Sequence, residues 1–280
     1  MERRYLLPGE TPEELFTRVA HHIASFNDST DQEAAYYEAM SSLKFLPNSP
    51  TLMNAGTGQG TLSACFVLPL EDTMEGIMDT AKSAAMVQKF GGGTGFSLSK
   101  LRPKSAPIST THGKACGPVA VLKHLSSVSK LVTQGGKRDG ANMAVLHVSH
   151  PDIMEFITCK QDEGDIHNFN ISIGVTHQFM EAVRHDSLYS LRNPASKATT
   201  QTVRARVIWN AIIDNAWHNG EPGIIFLDSV NKQHTKLGLG EITATNPCGE
   251  QPLLPNESCN LGSIDVSKFV RRDSFDWEEL

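Results

Sequence analysis

The sequence has few cysteines and no long apolar run, and each shortage excludes a class of protein. Its 280 residues include five cysteines at uneven spacing, which does not match the disulfide framework of a small secreted domain. No two cysteines have the Cys-x-x-Cys spacing that is typical of zinc sites. A run of about 18 apolar residues is absent, and the N-terminal Met-Glu-Arg-Arg-Tyr lacks an apolar signal core. We therefore expect a cytoplasmic protein with no metal-binding residues, in which any disulfide is catalytic.

The sequence also has a small net charge and no internal repeats. The net charge is −6, with 20% charged and 39% hydrophobic residues, so the composition does not favour nucleic acid or an anionic membrane as a partner. There is no internal repeat and no low-complexity tract. The length suits one large domain or two smaller ones. The abrupt start and the final Trp-Glu-Glu-Leu, typical of a first helical turn, predict a fragment or one half of a divided enzyme.

The hydrophobic pattern predicts an α/β protein. Residues 1–46 form a predicted N-terminal helical section, whose first helix starts at Thr11 with Pro12 at the first helical position. Strands and helices alternate after residue 60, as expected for parallel β-α-β units. Five strands are predicted, centred near Cys65, Phe96, Val145, Ile171 and Ile225. A sixth is predicted to start at Ser258 and run to Ile264.

One stretch near the C-terminal end concentrates chemically useful side chains. In Asn246-Pro247-Cys248-Gly249-Glu250-Gln251-Pro252-Leu253, Pro and Gly on either side of Cys248 predict a tight loop, since neither favours the interior of a helix or strand. Asn246 and Glu250 lie two residues away on each side and can face the same pocket as the thiol. A thiol, an amide and a carboxylate together suit hydrogen-atom or proton transfer. The structural alternative is a turn with a buried cysteine.

This stretch resembles the finger loop of ribonucleotide reductases, and most closely that of the adenosylcobalamin-dependent class. Further segments match in the same order along the chain, including Pro47-Asn48-Ser49-Pro50 and Gly91-Gly92-Gly93-Thr94-Gly95. The resemblance implies a ten-stranded α/β barrel built from two five-stranded halves, with the active cysteine on a loop through its middle. Residues 47–280 would then be the first half of the catalytic barrel, including the finger loop.

The resemblance also implies catalytic roles. Cys248 would form a thiyl radical that removes the 3′ hydrogen of a ribonucleotide, and Glu250 would accept the 3′-hydroxyl proton. Asn246 would orient the ribose. Cys65 and Cys259, the latter 11 residues after Cys248, would deliver two reducing equivalents and end as a disulfide that is reduced again after each turnover.

Substrate and effector residues follow from the same resemblance. The substrate would contact Ser49, Ala64 and Gly91. A deoxynucleotide effector would contact two specificity loops, for which the expected residues are Asp72, Arg102, Gln134, Lys137 and Arg138. The implied cofactor is adenosylcobalamin. The implied partners are the ribonucleotide, the effector, the missing C-terminal half, a thioredoxin-like reductant and a second copy in a homodimer.

Other interpretations stay open at this stage. An iron-dependent reductase large subunit would use a separate radical-generating subunit, and the Pro and Gly beside Cys248 count against it. A nucleotide-binding regulatory module would keep the effector loops without turnover. A thiol protease is a more distant alternative, because no His and Asn are placed by sequence to activate Cys248. For His147 and His150, which precede a predicted helix start, capping or packing is favoured over metal binding.

Overall fold

The computed structural model describes residues 5–27, 30–132, 141–161, 166–235, 238–272 and 274–280. The chain divides into two compact units. The helical unit comprises Met1–Ala64, Phe90–Gly92 and Cys259–Leu280, and the sheet unit comprises Cys65–Lys89 and Gly93–Ser258. Among the helices in the described ranges, none has the length and hydrophobicity needed to cross a membrane.

The described residues contain the following regular elements. The α-helices are α1 Pro12–Ala24, α2 Thr30–Ser41, α3 Ser49–Asn54, α4 Met74–Lys89, α5 Pro118–Leu131, α6 Ile153–Thr158, α7 His177–Arg184, α8 Ala205–Asn219 and α9 Leu227–Gln233, and a 3₁₀ helix spans Val266–Phe269. The strands are β1 Phe45–Pro47, β2 Cys65–Leu68, β3 Gly93–Ser97, β4 Asn142–His147, β5 Phe169–Val175, β6 Leu188–Arg192, β7 Thr199–Arg204, β8 Gly223–Phe226, β9 Ala244–Thr245, β10 Pro252–Leu253, β11 Ser258–Cys259, β12 Gly262–Ile264, β13 Val270–Arg271 and β14 Ser274–Phe275.

In the helical unit, α1 begins where the sequence predicts. The Thr11 hydroxyl accepts a hydrogen bond from the Glu14 N–H at 3.2 Å, and the Glu14 carboxylate accepts one from the Thr11 N–H at 2.8 Å. This reciprocal capping box satisfies two backbone donors that a helix start leaves unpaired. The apolar face of α1 packs into a small core against α2 and α3; its buried members are Leu15, Phe16, Val19, Ala20, Met40, Leu52 and Ala55.

The sheet unit is built on five parallel strands in the order β2-β3-β4-β5-β8. All five are at the positions that the sequence predicts, which confirms the α/β fold class. Helices connect them, and α4 packs on α5, α5 on α6, and α6 on α8. One row of residues runs in register across β2, β3, β4 and β5; its members are Val67, Gly95, Met143 and Asn170.

The two faces of this sheet differ because side chains alternate along each strand. One face contributes the main core, including Phe96, Leu146 and Ile171, all at most 1% exposed. The opposite face carries smaller and more polar residues and is covered in part by the antiparallel hairpin of β9 and β10, which contacts β3 and β4. The finger-loop residues are therefore held against the middle of a parallel sheet.

Two local predictions differ from the structure. The hairpin of β6 and β7 was not predicted. Tyr189 and Leu191 of β6 are buried, but Leu188 is 67% exposed and the polar strand β7 is almost wholly exposed, so the hairpin has no clear apolar alternation in its sequence. The single strand expected from Ser258 to Ile264 is instead β11 and β12. β12 pairs antiparallel with β1 in the helical unit, with Leu46 opposite Ser263.

Candidate active site

The hairpin of β9 and β10 presents the Asn-Pro-Cys-Gly-Glu motif at its tip. Thr245 lies opposite Pro252, and the Gly249 N–H donates to the Asn246 carbonyl at 3.1 Å, which closes a β-turn over Pro247 and Cys248. Pro at the second position of a turn and Gly at the fourth are both favoured. Gly249 has φ +84°, a conformation that residues with a Cβ rarely adopt. The turn that the sequence predicts is thus present.

Two glycines of β3 let the hairpin approach the sheet. A methyl group built at Gly93 would lie 2.5 Å from the Pro247 Cγ. One built at Gly95 would overlap the Thr245 carbonyl oxygen. Neither overlap is tolerable, so the close approach of β9 to β3 requires glycine at both positions.

Asn246 is the internal anchor of the turn. It is 0% exposed. Its Oδ1 accepts a hydrogen bond from the Gln251 N–H at 3.0 Å, its own N–H donates to the Gln251 carbonyl at 3.1 Å, and its Nδ2 lies 3.7 Å from the Cys65 sulfur. The side chain therefore joins both arms of the hairpin to the first residue of β2. Gln251 was not singled out from the sequence, although it directly follows the motif.

Unlike the buried Asn246, both Cys248 and Glu250 are exposed. An exposed thiol and carboxylate two residues apart can be reached by a bound molecule, whereas buried Asn246 sets the shape of the turn. All five cysteines lie in the described ranges and are thiols. Cys65 is buried in the sheet unit and Cys259 belongs to the helical unit, so their redox pairing stays a prediction.

The predicted substrate residues all lie in the helical unit. The Ser49 hydroxyl, at the first position of α3, is 3.2 Å from the Tyr5 hydroxyl. A side chain at Gly91, where φ is +88°, would point toward Pro50 and Met53. The Ala64 N–H donates to the Cys259 carbonyl at 2.9 Å. Tyr5 was missed by sequence reasoning, because a single Tyr near the N-terminus belongs to no motif.

Two of the predicted effector residues are brought together in the sheet unit. Arg102 donates from its backbone N–H to Asp72 Oδ1 at 3.1 Å, from Nε to Oδ2 at 2.7 Å, and from Nη2 to the Asp72 carbonyl at 3.1 Å. These bonds fix the start of the loop between β3 and α5 to the segment that follows β2. The other three, Gln134, Lys137 and Arg138, lie outside the described residues.

A cleft of about 680 Å³ opens at the carboxyl ends of β2, β3 and β4. Its lining includes Ser99, His147, Arg192, Asn193 and Thr243. His147 Nδ1 accepts from the Ser149 N–H at 3.1 Å, so the neutral ring carries its proton on Nε2. Burial lowers the pKa of His147. Carboxyl ends of parallel strands are the usual place for ligands in open α/β sheets.

The contacts and burial of His150 and Cys159 indicate structural roles for both residues. His150 accepts from the Asp152 N–H at 3.0 Å and contacts the Leu101 carbonyl at 2.9 Å, as a capping residue does. Burial lowers the pKa of His150 and raises the pKa of Cys159 to about 12. A thiol with so high a pKa is a poor nucleophile at neutral pH.

Two family models match the chain. The family model "Ribonucleotide reductase, barrel domain" matches residues 63–280, and the model "Ribonucleotide reductase, all-alpha domain" matches residues 1–60. A vitamin B12-dependent ribonucleoside-diphosphate reductase from Thermoplasma acidophilum is 54% identical over 236 residues, which is 84% of this chain and 31% of the relative.

Two further relatives match the whole chain. A protein of the same name from Mycobacterium tuberculosis is 42% identical over 100% of this chain and 42% of the relative. The ribonucleoside-diphosphate reductase large subunit of Variola virus is 32% identical over 100% of this chain and 41% of the relative. The chain thus spans between 31% and 42% of the length of these relatives.

Proposed function

Because the chain belongs to the ribonucleotide reductase family, we propose that it forms part of an enzyme that reduces ribonucleotides to 2′-deoxyribonucleotides with adenosylcobalamin. The observation that carries the proposal is the hairpin tip. Cys248 is exposed within the turn, Glu250 is exposed just after it, and the buried Asn246 at its start reaches the Cys65 sulfur. Relatives named as vitamin B12-dependent support the choice of cofactor.

The proposed reaction assigns one step to each side chain. Cys248, as a thiyl radical, removes hydrogen from C3′ and becomes a thiol. Glu250 takes the proton of the 3′-hydroxyl as general base. The C2′–O bond then breaks, and the oxygen leaves as water with a proton from the thiol pair. Cys65 and Cys259 supply two electrons and two hydrogens in all, one to the leaving water and one to C2′, and become a disulfide. Glu250 returns its proton to the 3′ oxygen. Cys248 gives its hydrogen back to C3′ and is again a thiyl radical.

The exposure pattern of the tip suits these roles. Hydrogen abstraction requires the sulfur to touch the ribose, and Cys248 is exposed. The base must reach the neighbouring hydroxyl, and Glu250 lies on the same short, exposed segment. Buried Asn246 keeps the segment in one conformation, because its side chain and backbone both bond to Gln251. Such preorganisation is what radical chemistry requires of a protein.

The residues present fit a corrin cofactor. Among the described residues, no group of three or more His, Cys, Asp or Glu side chains could bind a metal ion. Cobalamin carries its cobalt within a corrin ring, so the protein needs polar partners for the peripheral amides instead. The cleft offers such partners in Ser99, His147 and Asn193, and Thr243 connects it to the strand that leads to Cys248. When bound, the cofactor supplies the oxidising equivalent that starts the reaction.

Substrate and effector residues complete the proposal. Ser49, Ala64 and Gly91 would contact the nucleotide, and the Asp72–Arg102 pair would hold the first specificity loop for a deoxynucleotide effector. The proposal also includes a homodimer formed through the effector loops, and the exposed Met74, Met78 and Met86 of α4 would offer it further apolar surface. The remaining partners in the proposal are a thioredoxin-like reductant and the C-terminal half of the enzyme. The proposal also includes a cytoplasmic location for the protein.

The test is anaerobic reduction of a ribonucleotide mixture with a dithiol and a deoxynucleotide effector. It is run with and without adenosylcobalamin, and with and without a segment that corresponds to the rest of the relatives. We expect product that requires the cofactor and is lost in Cys248→Ser. Product that forms without cobalamin but requires an iron-containing subunit would favour the iron-dependent class. Effector binding without product in any combination would favour the regulatory module.

A further inference from the structure

β5 contains one exposed polar side chain at the level of the hairpin. In Phe-Asn-Ile-Ser-Ile-Gly-Val, six of the seven residues are buried and Asn170 is exposed. The alternation of the strand directs Asn170 to the face that the hairpin covers. Its Nδ2 donates to the Pro247 carbonyl oxygen at 2.7 Å. The amide orientation is unambiguous, because a carbonyl oxygen can only accept.

The accepting carbonyl belongs to the peptide bond that joins Pro247 to Cys248. A peptide bond is planar, and the pyrrolidine ring fixes the φ of Pro247. The ψ of Pro247 is then the one soft dihedral angle that sets the plane of this peptide. A hydrogen bond from the sheet to the carbonyl restrains that angle, and with it the direction in which the Cys248 side chain leaves the backbone.

Two further contacts hold the turn at other atoms. The Pro247 ring is seated over Gly93, and the Gly249 N–H bonds to the Asn246 carbonyl on the far side of the turn. The Asn170 bond joins the Pro247 carbonyl to a strand two positions across the sheet from β3.

We propose that Asn170 is a positioning residue for the Cys248 thiol, acting through the Pro247–Cys248 peptide. The proposal rests on the proposed function, since it gives the orientation of Cys248 a catalytic purpose. A displacement of about 1 Å in a reacting group can cost about a hundredfold in rate. Loss of the Asn170 bond should therefore reduce turnover while substrate binding, which the proposed function assigns to Ser49, Ala64 and Gly91, changes little.

The test uses Asn170→Asp, which keeps the size of the side chain but replaces the donor by an acceptor that repels the carbonyl, and Asn170→Ala. Asn210→Asp, on the exposed surface of α8, is the matched control with the same charge change. Two readouts are compared, after circular dichroism and thermal unfolding have shown that each variant is folded. The first is the rate at which iodoacetamide alkylates Cys248, measured on the chain itself. The second is kcat and KM of the full-length reductase.

We expect both Asn170 variants to lower kcat about a hundredfold with KM within about twofold, and to change the Cys248 alkylation rate at least about threefold. Asn210→Asp should change neither. An unchanged alkylation rate overturns the proposal, and so does an unchanged kcat in an active enzyme. If the parent enzyme shows no turnover, the proposed function fails separately, and the alkylation rate alone decides whether Asn170 orients the thiol.

Discussion

The side-chain amide of Asn246 lies 3.7 Å from the sulfur of Cys65. Asn246 belongs to the hairpin and Cys65 is the first residue of β2, so 181 residues of chain separate the two. Both are buried, at 0% and 7% exposure. Sequence reasoning gave Asn246 a role toward the ribose, and the structure shows in addition that it connects the hairpin that carries Cys248 to the strand that carries Cys65.

Replacing Asn246 by Ala should destabilise the chain. The change leaves the Gln251 N–H without its acceptor in a partly buried position, and it removes the contact with Cys65. An unmatched buried donor costs about 1–3 kcal/mol, so we expect a fall of that size in the free energy of unfolding. Urea denaturation measures it.

The control for Asn246→Ala is Asn210→Ala, at an exposed helical position, which should change stability by no more than about 0.5 kcal/mol. Equal effects of the two substitutions would show that the Asn246 bonds add nothing to stability.

Much of the fold was predictable because its signals are local. The capping box at Thr11, the five apolar strands and the Pro-Cys-Gly turn each depend on neighbouring residues. The position of that turn on the sheet was not predictable. It depends on contacts between segments far apart in sequence, such as Gly95 with Thr245 and Asn170 with Pro247.

The polar contacts of the site could not be predicted from the sequence either. Asn170 is the one exposed residue of a mostly apolar strand, a pattern with no motif to mark it. Tyr5 and Ser49 are 44 residues apart, and no periodicity relates them. Cys248 and Asn246 could be identified by resemblance, but the contacts that Asn170 and Gln251 make with this turn could be identified only from the structure.

Gly95→Ala should displace the hairpin. The added methyl would overlap the Thr245 carbonyl oxygen, and a backbone atom cannot turn away as a flexible side chain can. Overpacking of this kind costs about 1–3 kcal/mol or more. We expect a lower urea midpoint and faster alkylation of Cys248.

Gly113→Ala is the matched control for this overpacking. It adds the same methyl in a loop, where the nearest atom is a Thr111 hydroxyl at 3.3 Å, and it should leave both quantities nearly unchanged. A Gly95→Ala protein with the parent's midpoint would contradict the close packing of β9 on β3.

The stability of the chain should fall on acidification below the ordinary histidine pKa. Burial lowers the pKa of His147 and of His150 from 6.5, so the folded state favours the neutral rings. Their contribution is complete above the pKa of the unfolded chain and is lost as the pH falls through the folded pKa, because the unfolded state then binds more protons. Each histidine contributes at most about 1.4 kcal/mol per pH unit.

Urea denaturation at about pH 7.5 and about pH 5.5 measures this slope. His150→Gln should make it shallower, since one titrating group is removed, whereas His185→Gln, whose side chain is 67% exposed, should leave it unchanged. The same slope in His150→Gln and in the parent would contradict the prediction.

The cysteines should differ widely in their rates of alkylation. Burial raises the pKa of Cys159 to about 12, whereas Cys116 and Cys248 are exposed. The thiolate is the reactive form, so a pKa raised from 9.0 to about 12 lowers its fraction about a thousandfold at neutral pH. Peptide mass spectrometry after a short iodoacetamide pulse should find Cys116 and Cys248 modified and Cys159 intact. Comparable rates for Cys159 and Cys116 would contradict this burial.

Arg102→Lys should weaken the binding of a deoxynucleotide effector. Arg102 bonds to Asp72 through its side-chain Nε and Nη2 as well as its backbone, and the single ammonium of lysine cannot reproduce the side-chain pair. The loop that starts at this residue then loses its fixed position. We expect about tenfold weaker binding, equivalent to about 1.4 kcal/mol, measured by titration calorimetry with a mixture of deoxynucleoside triphosphates.

The pair is partly exposed, at 36% and 28% of the two side chains, so we expect stability to change by less than about 1 kcal/mol. Lys104→Met is the control, because Lys104 pairs with Glu155 on the surface at 3.0 Å in the same loop, and it should bind the effector as the parent does. A large loss of stability in Arg102→Lys would instead indicate that the pair only supports the fold. Binding that is equal in all three proteins would show that the effector does not depend on the Asp72–Arg102 contact.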